Sequence, residues 1–239
     1  MPFRHGKNTV LFVNGADLTR YFNEASVSQS VETAETTAFG DDDKTYITGL
    51  ADGTMSGSGM FDGQAGAVDQ ILSSVIGSAT ADVITVGVDG ATAGRVTLSM
   101  EARQTSYEVS APVSDVVAAN IEAQATGGVD RGIFLAARSV VTASGQGASQ
   151  DNAAATSNGG VAYLHATVNT RDGASTFKVQ HSTDNVSFVD LATFSSVSAS
   201  ATSGQRVAVT GTVYRYLRAS HAPGGSSGSV TYSIAFARK

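Results

Sequence analysis

Four histidines, a run of three aspartates, a Gly-Ser-Gly step and a Tyr-Arg-Tyr-Leu-Arg stretch hold most of the reactive chemistry this 239-residue chain can offer. The histidines stand apart, at positions 5, 165, 181 and 221, and no cysteine accompanies them. Disulfides and cysteine-based metal sites are excluded. A zinc centre would have to be gathered from distant histidines, of which His165 and His181 fall in strand-like segments. Asp41, Asp42 and Asp43 could attract calcium, but they lack the alternating spacing and downstream glutamate of an EF-hand loop. They read as a solvated loop tip or as a contact to a neighbour's Lys or Arg. Gly57-Ser58-Gly59 has neither the spacing nor the apolar frame of a nucleophile elbow. No phosphate-binding Gly-Lys-Ser/Thr loop is present. Asn185-Val186-Ser187 matches a glycosylation sequon, read as chance because no signal peptide is visible. Tyr214 and Tyr216, with Arg215 and Arg218, could form a stripe for a glycan or nucleic acid. Alternation along a strand instead puts both tyrosines on one face and Arg215 on the other, so a packed core face with exposed arginines is expected. These residues make no catalytic constellation. The expectation is a chain that is not an enzyme and has no catalytic residue, metal or cofactor.

The elements that would position these residues are mostly strands. Thr9 to Val13 is a short apolar run closed by Asn14-Gly15, a hairpin signal. Residues 25–33 alternate as one strand of an antiparallel sheet. Residues 34–44 are polar and read as a long loop or an extended hairpin tip, Asp52-Gly53 as a turn, and residues 54–61 as a Gly/Ser-rich strand. One helix is expected, at about 63–76. There Val68, Ile71, Leu72, Val75 and Ile76 make a single apolar stripe, with Asp62 as N-cap and Gly77 just past the end. Its polar face is not basic, so it is expected to cover the open side of a barrel or sandwich rather than a membrane. Strands follow at 83–88, 95–101, 106–110, 116–125 and 132–136, with a turn at Asp89-Gly90. Residues 143–160 are low-complexity and polar, hence a loop. Six more strands are expected at 161–168, 175–181, 186–194, 206–210, 213–219 and 229–237, with a turn at Asp184-Asn185. The fold class is therefore mainly β. An N-terminal sandwich or barrel with one flanking helix spans 1–137, and an all-β sandwich spans 138–239.

Charge divides the chain at the same place. Residues 1–137 carry 7 Lys+Arg against 17 Asp+Glu, a net of −10, and residues 138–239 carry 8 against 4, a net of +4. An acidic first half argues against tight nucleic-acid binding, which depends on cations facing phosphates. Charged residues are only 15% of the chain, against roughly 25% in an average soluble domain. With abundant Gly, Ser, Thr and Ala, this suits subunits that bury surface against neighbours, and equally a secreted or surface β-protein. No apolar run approaches the roughly 20 residues that span a bilayer.

Three stretches together resemble a known family. They are LFVNGADLTRYFNE (Leu11 to Glu24), VETAETTAFGDDDKTYITGLADGT (Val31 to Thr54), and the helix after Phe61-Asp62-Gly63. Their order is similar to that of the tail tube proteins of long, flexible-tailed (siphovirus-type) bacteriophages, over most of residues 9–135. The resemblance implies hexameric rings stacked into a tube, with each subunit's sheet extended by its neighbours into an inner barrel. Double-stranded DNA would pass through the lumen without specific binding. The tape-measure protein and other tail proteins would be partners, and the chain would reside in the virion tail after assembly in the host cytoplasm. It also implies that the N-terminal arm and the loop at 34–52, with Asp41, Asp42, Asp43, Lys44 and Tyr46, bridge stacked rings. That loop is expected to be poorly ordered in an isolated subunit. The domain at 138–239 departs from many members and is expected on the outer surface, dispensable for assembly. It leaves open a second role, as a decoration or minor tail protein or a host-polysaccharide-binding module.

Overall fold

The structure, a computed structural model, describes residues 5–239. The expected N-terminal arm lies partly outside the described residues. The fold is mainly β, as its patterning requires, and the described residues form one α-helix and two antiparallel sheets of eleven and five strands.

After a 3₁₀ turn at Gly6–Asn8, β1 (Val10–Val13) meets β2 (Ala16–Asp17) through Asn14-Gly15, both at positive φ. This is the two-residue turn that the Asn-Gly pair dictates. A long hairpin follows, of β3 (Phe22–Glu35) and β4 (Tyr46–Met60). It corrects two expectations. The loop at 34–52 is only a tip at 36–45, and Asp52-Gly53 is no turn, because Ser30 pairs with Asp52 and Gln29 with Gly53 inside the ladder. The turn signal lost because its neighbours on both sides could pair along one continuous ribbon.

Helix α1 (Val68–Val75) is shorter than its stripe suggested, and Asp62 is not its N-cap. The Asp62 carboxylate instead accepts from the Gln64 N–H (3.0 Å), and the Gln70 side chain reaches back to the Gly66 N–H (2.6 Å). Gly77, at φ +72°, follows the helix as expected. β5 (Asp82–Gly87), β6 (Val96–Ser110), β7 (Ala118–Ala125) and β8 (Asp130–Val141) complete the first half. The segments expected at 95–101 and 106–110 are one strand, β6.

In the second half β11 (Gly160–Asn169), β14 (Ser203–Val209) and β16 (Val230–Arg238) join the large sheet. The smaller sheet holds β12 (Thr176–Ser182), β13 (Val189–Thr193) and β15 (Tyr216–Ala222). The stretch at 143–160 is not wholly loop. Its short strands β9 (Gly145–Gln146) and β10 (Gln150–Asp151) both pair with β15. Residue 137 lies inside β8, whose start pairs with β6 and whose remainder pairs with β16.

Three cores stack in order. The first gathers Leu11, Val13, Met55, Val68, Leu72, Ile84, Met100 and Ile121 under α1. The second, Val10, Phe12, Val83, Phe134, Val161, Tyr163 and Ala235, is built from both halves of the chain. The third fills the space between the two sheets, around Phe177, Leu217, Tyr232 and Phe236. Strands β1 and β5 thus show one set of alternate residues to the first core and the other set to the second.

Polar groups pin the same junction. Buried His165 on β11 accepts at Nδ1 from the Gly15 N–H (3.3 Å) and donates from Nε2 to Thr85 Oγ1 (2.9 Å). Its ring stacks on Phe12, with centroids 5.5 Å apart. Arg138 grips Asp17 with two nitrogens at 2.7 and 2.9 Å. Burial alone would raise the Asp17 carboxyl, but this pairing outweighs it and holds the group below its usual range. Gly204 lies where a Cβ would come 2.6 Å from the Asn14 backbone, so no larger residue fits against the turn.

Two outcomes follow from the shared core. Phe134→Ala removes a ring packed edge-on to Phe12 and should cost about 3–5 kcal/mol. It should lower one common thermal transition for the whole chain, whereas two separate transitions in calorimetry would contradict the shared core. Burial also lowers the His165 pKa to about 3. The unfolded chain therefore binds more protons between about pH 3 and the ordinary histidine value, so stability should fall as pH drops through that window. His181 and His221, also lowered by burial, act in the same sense. His165→Gln should flatten part of the slope in denaturant titrations run from pH 7 to pH 5.

Candidate assembly interface

Strand β7 pairs with β4 only from Thr54 to Met60. Beyond Ser28 and Thr54 the β3–β4 hairpin is therefore a bare two-stranded ribbon, and nearly every side chain on it is exposed. Such a ribbon is at best marginally stable alone in water. Its exposed groups include Val31, Tyr46, Ile47, Leu50 and, at the tip, fully exposed Phe39.

The sequence-derived residues lie at the end of this arm, but they are not one cluster. Asp41 is built into the tip, its carboxylate accepting from the Ala38 N–H at 2.8 Å. Lys44 pairs with Glu35 across the ribbon at 3.0 Å. Tyr46 belongs to strand β4, opposite Glu35. Asp42 and Asp43 stand exposed at the tip. Thr36 and Thr45 close it through a backbone bond of 2.8 Å and a hydroxyl contact of 3.0 Å. Among the described residues, no group of three His, Asp or Glu could hold a metal ion.

The sheet behind the arm has a feature that composition and periodicity left unseen. Its order β3-β4-β7-β6 is antiparallel throughout. Among the described residues, β3 pairs only with β4, and β6 beyond Ala102 pairs only with β7. Both sides of this four-stranded unit therefore present unpaired backbone. Strand order alone makes the two edges run in opposite directions. Register also sorts its faces. Met55, Ile121 and Ala123 point into the first core, and Tyr107 donates to Asp69 of α1 at 2.8 Å. The opposite face carries Ser26, Ser28, Thr54, Ser56, Ser58 and Asn120 among Glu24, Glu108 and Glu122, with Arg103 near one end. It is a flat surface of short polar groups and carboxylates.

The second half carries the remaining sequence-derived groups. Tyr214 and Tyr216 do not form a core face, because the chain enters β15 only at Tyr216 and Val213, Leu217 and Ala219 take the core positions. Tyr214 stacks on His181 at 4.3 Å, and Arg215 lies over Tyr216 while gripping Asp151 with two bonds of 2.7 Å. Arg218 covers Phe188 at 3.8 Å. Asn185 sits at positive φ in the expected turn.

No family model matches this chain, and no curated protein does. Several solved structures share part of its strand arrangement at low identity. One is a chain of the virion of a native gene transfer agent particle (13% identity, 54% of this chain and 98% of that one, TM-score 0.44). Another comes from the tail of an empty gene transfer agent particle of C6 symmetry (14%, 53% and 97%, 0.43). A third is SPP1 Dit (gp 19.1), described as a paradigm of the hub adsorption apparatus of phages infecting Gram-positive bacteria (13%, 95% and 97%, 0.37). Each is a partial likeness, and none assigns this chain a role.

The bare ribbon generates a kinetic expectation. Amides at 29–35 and 46–52 should exchange quickly in isolated subunits, because only cross-ribbon bonds protect them, and slowly in any assembly that covers the arm. Hydrogen exchange on both states measures this. Equal protection would mean that the arm is not an assembly element.

Proposed function

We propose that this chain is an architectural subunit of a long-tailed phage tail tube, with no catalytic role of its own. Copies would join side by side, the free edge of β3 pairing with the free edge of β6 on the next copy. The observation that carries this is the pair of open, oppositely directed edges on one four-stranded unit. Unpaired backbone edges are templates for further strands, and a head-to-tail contact of two different edges closes into a ring when its rotation allows. The resemblance over residues 9–135 supplies the expected number, six.

In such a ring the Ser/Thr/Glu face lines the lumen. Short hydroxyls and carboxylates offer phosphates little to hold, so duplex DNA slides rather than binds. The ribbon ending in Phe39 and Asp41–Asp43 would reach the neighbouring ring. Residues 138–239 would form the outer layer, since the second and third cores separate most of them from the lumen face. The tape-measure protein would be the partner inside, and the virion tail the location. The alternative, a decoration or polysaccharide-binding module, would draw on the face around Tyr216 and Phe188. A guanidinium group already lies over each of these rings.

Cross-linking tests the edges directly, because the chain has no thiol of its own. Chains carrying Ser28→Cys together with Ser106→Cys, and neighbouring pairs that scan the register, should give a covalent ladder ending at the ring. Single variants should not. Negative-stain images of concentrated protein should contain rings or tubes. A monomeric protein with no ladder at any register would end the proposal. Assembled tubes should also bind duplex weakly, with affinity rising little as salt is lowered, and a tight, steeply salt-dependent complex would refute the lumen assignment.

A further inference from the structure

A cleft of about 530 Å³ runs beside the unpaired edge of β3 at its base. Phe22, Asn23, Glu24 and Ala25 of β3 form one wall, and His5, Lys7, Thr9, Leu11 and Thr19 contribute the other. Its lining is partly apolar, from Phe22 and Ala25, and includes Lys7 and His5.

Elsewhere in the chain, the tip between β6 and β7 has the matching character. Residues 111–117 read Ala-Pro-Val-Ser-Asp-Val-Val. Val113 is fully exposed, Val116 largely so, and Asp115 lies between them. Ladder register places this tip at a definite height. Ser110 pairs with Ala118, Ala118 with Met60, and the adjacent Gly59 with Phe22. The tip therefore leaves the sheet at the level of the β3 base, on the opposite side of the same unit. When copies join β3 to β6 with their ladders level, the end of one copy's β6 arrives beside Phe22 of the next, and the tip continues past it toward the cleft.

Resting on the edge-to-edge ring proposed above, we infer that the cleft is the seat for the 111–117 tip of the adjacent copy. Val113 and Val116 pack on Phe22 and Ala25, and the Asp115 carboxylate faces Lys7 and His5. Pairing of strand edges is indifferent to sequence and can slip. An apolar plug with one charge contact at its end would fix the register of each ring contact, so that the closed ring forms rather than an open spiral.

The test uses full-length chains. One carries Ser114→Cys, the other Asn23→Cys, both at exposed positions that leave the fold intact. Mixed and mildly oxidised, they should give a 114–23 heterodisulfide, while each alone gives little dimer. Asp115→Lys and Lys7→Glu should each weaken assembly, by about tenfold or more for a like-charge contact, and the double variant should restore most of it. If the β3–β6 ladder forms but the heterodisulfide does not, and charge reversal has no effect, the seat is refuted while the ring stands. Cross-linking of Asn23→Cys to Ala38→Cys in its place would show the arm tip as the occupant and overturn the inference. If the heterodisulfide forms without any β3–β6 ladder, the seat stands and the edge-pairing ring falls.

Discussion

Strands β1 and β5 are covered on both faces, and most of the molecule is arranged around that fact. Alternation sends Leu11, Val13, Ile84 and Val86 to the core under α1, and Val10, Phe12 and Val83 to the core shared with the second half. A strand buried on both faces cannot shift by one residue without exchanging two well-packed sets of side chains. It therefore acts as a fixed keel. On one side the four-stranded unit and the helix close over it, and on the other β11, β14 and β16 do. The buried hydrogen bonds that His165 accepts from Gly15 and donates to Thr85 satisfy polar groups that the double cover takes away from water.

A rigid keel lets the four-stranded unit remain unfinished. Two of its edges have no partner among the described residues, and its hairpin runs out into solvent as a ribbon with Val31, Ile47, Leu50 and Phe39 exposed. A monomer gains nothing from such features. Open edges invite pairing, and a naked ribbon forfeits the packing that normally holds strands together. In the proposed assembly both would become favourable, because further copies would supply the missing backbone partners and cover the apolar side chains.

The second half adds to this scaffold rather than standing apart from it. Its sandwich core draws Leu135 and Ala136 from the first half, and its large-sheet strands continue the sheet of the first half through β8. The change in charge sign near residue 137 falls within a continuous structure, and three cations of the second half, Arg138, Arg206 and Lys239, pair with Asp17, Glu101 and Asp130 of the first.

Local chemistry by itself determined a good deal. Asn14-Gly15 marked a tight turn, the stripe from Val68 to Val75 marked a helix facing a core, and nearly every strand of the second half was legible from alternation and bounding glycines. These features depend on neighbours close in the chain, so short-range pattern suffices. Tertiary structure decided the rest. Asp52-Gly53 carries a turn signal but lies in a strand, because the ladder with β3 continues past it. Tyr214 and Tyr216 alternate like a core face yet leave the core to Val213 and Leu217. Above all, the open edges of β3 and β6, the cleft beside Phe22 and the exposed ribbon could not be read from residue types. An unpaired edge has the same composition as a paired one, and it is defined only by which strands lie beside it, a property of contacts between residues distant in sequence.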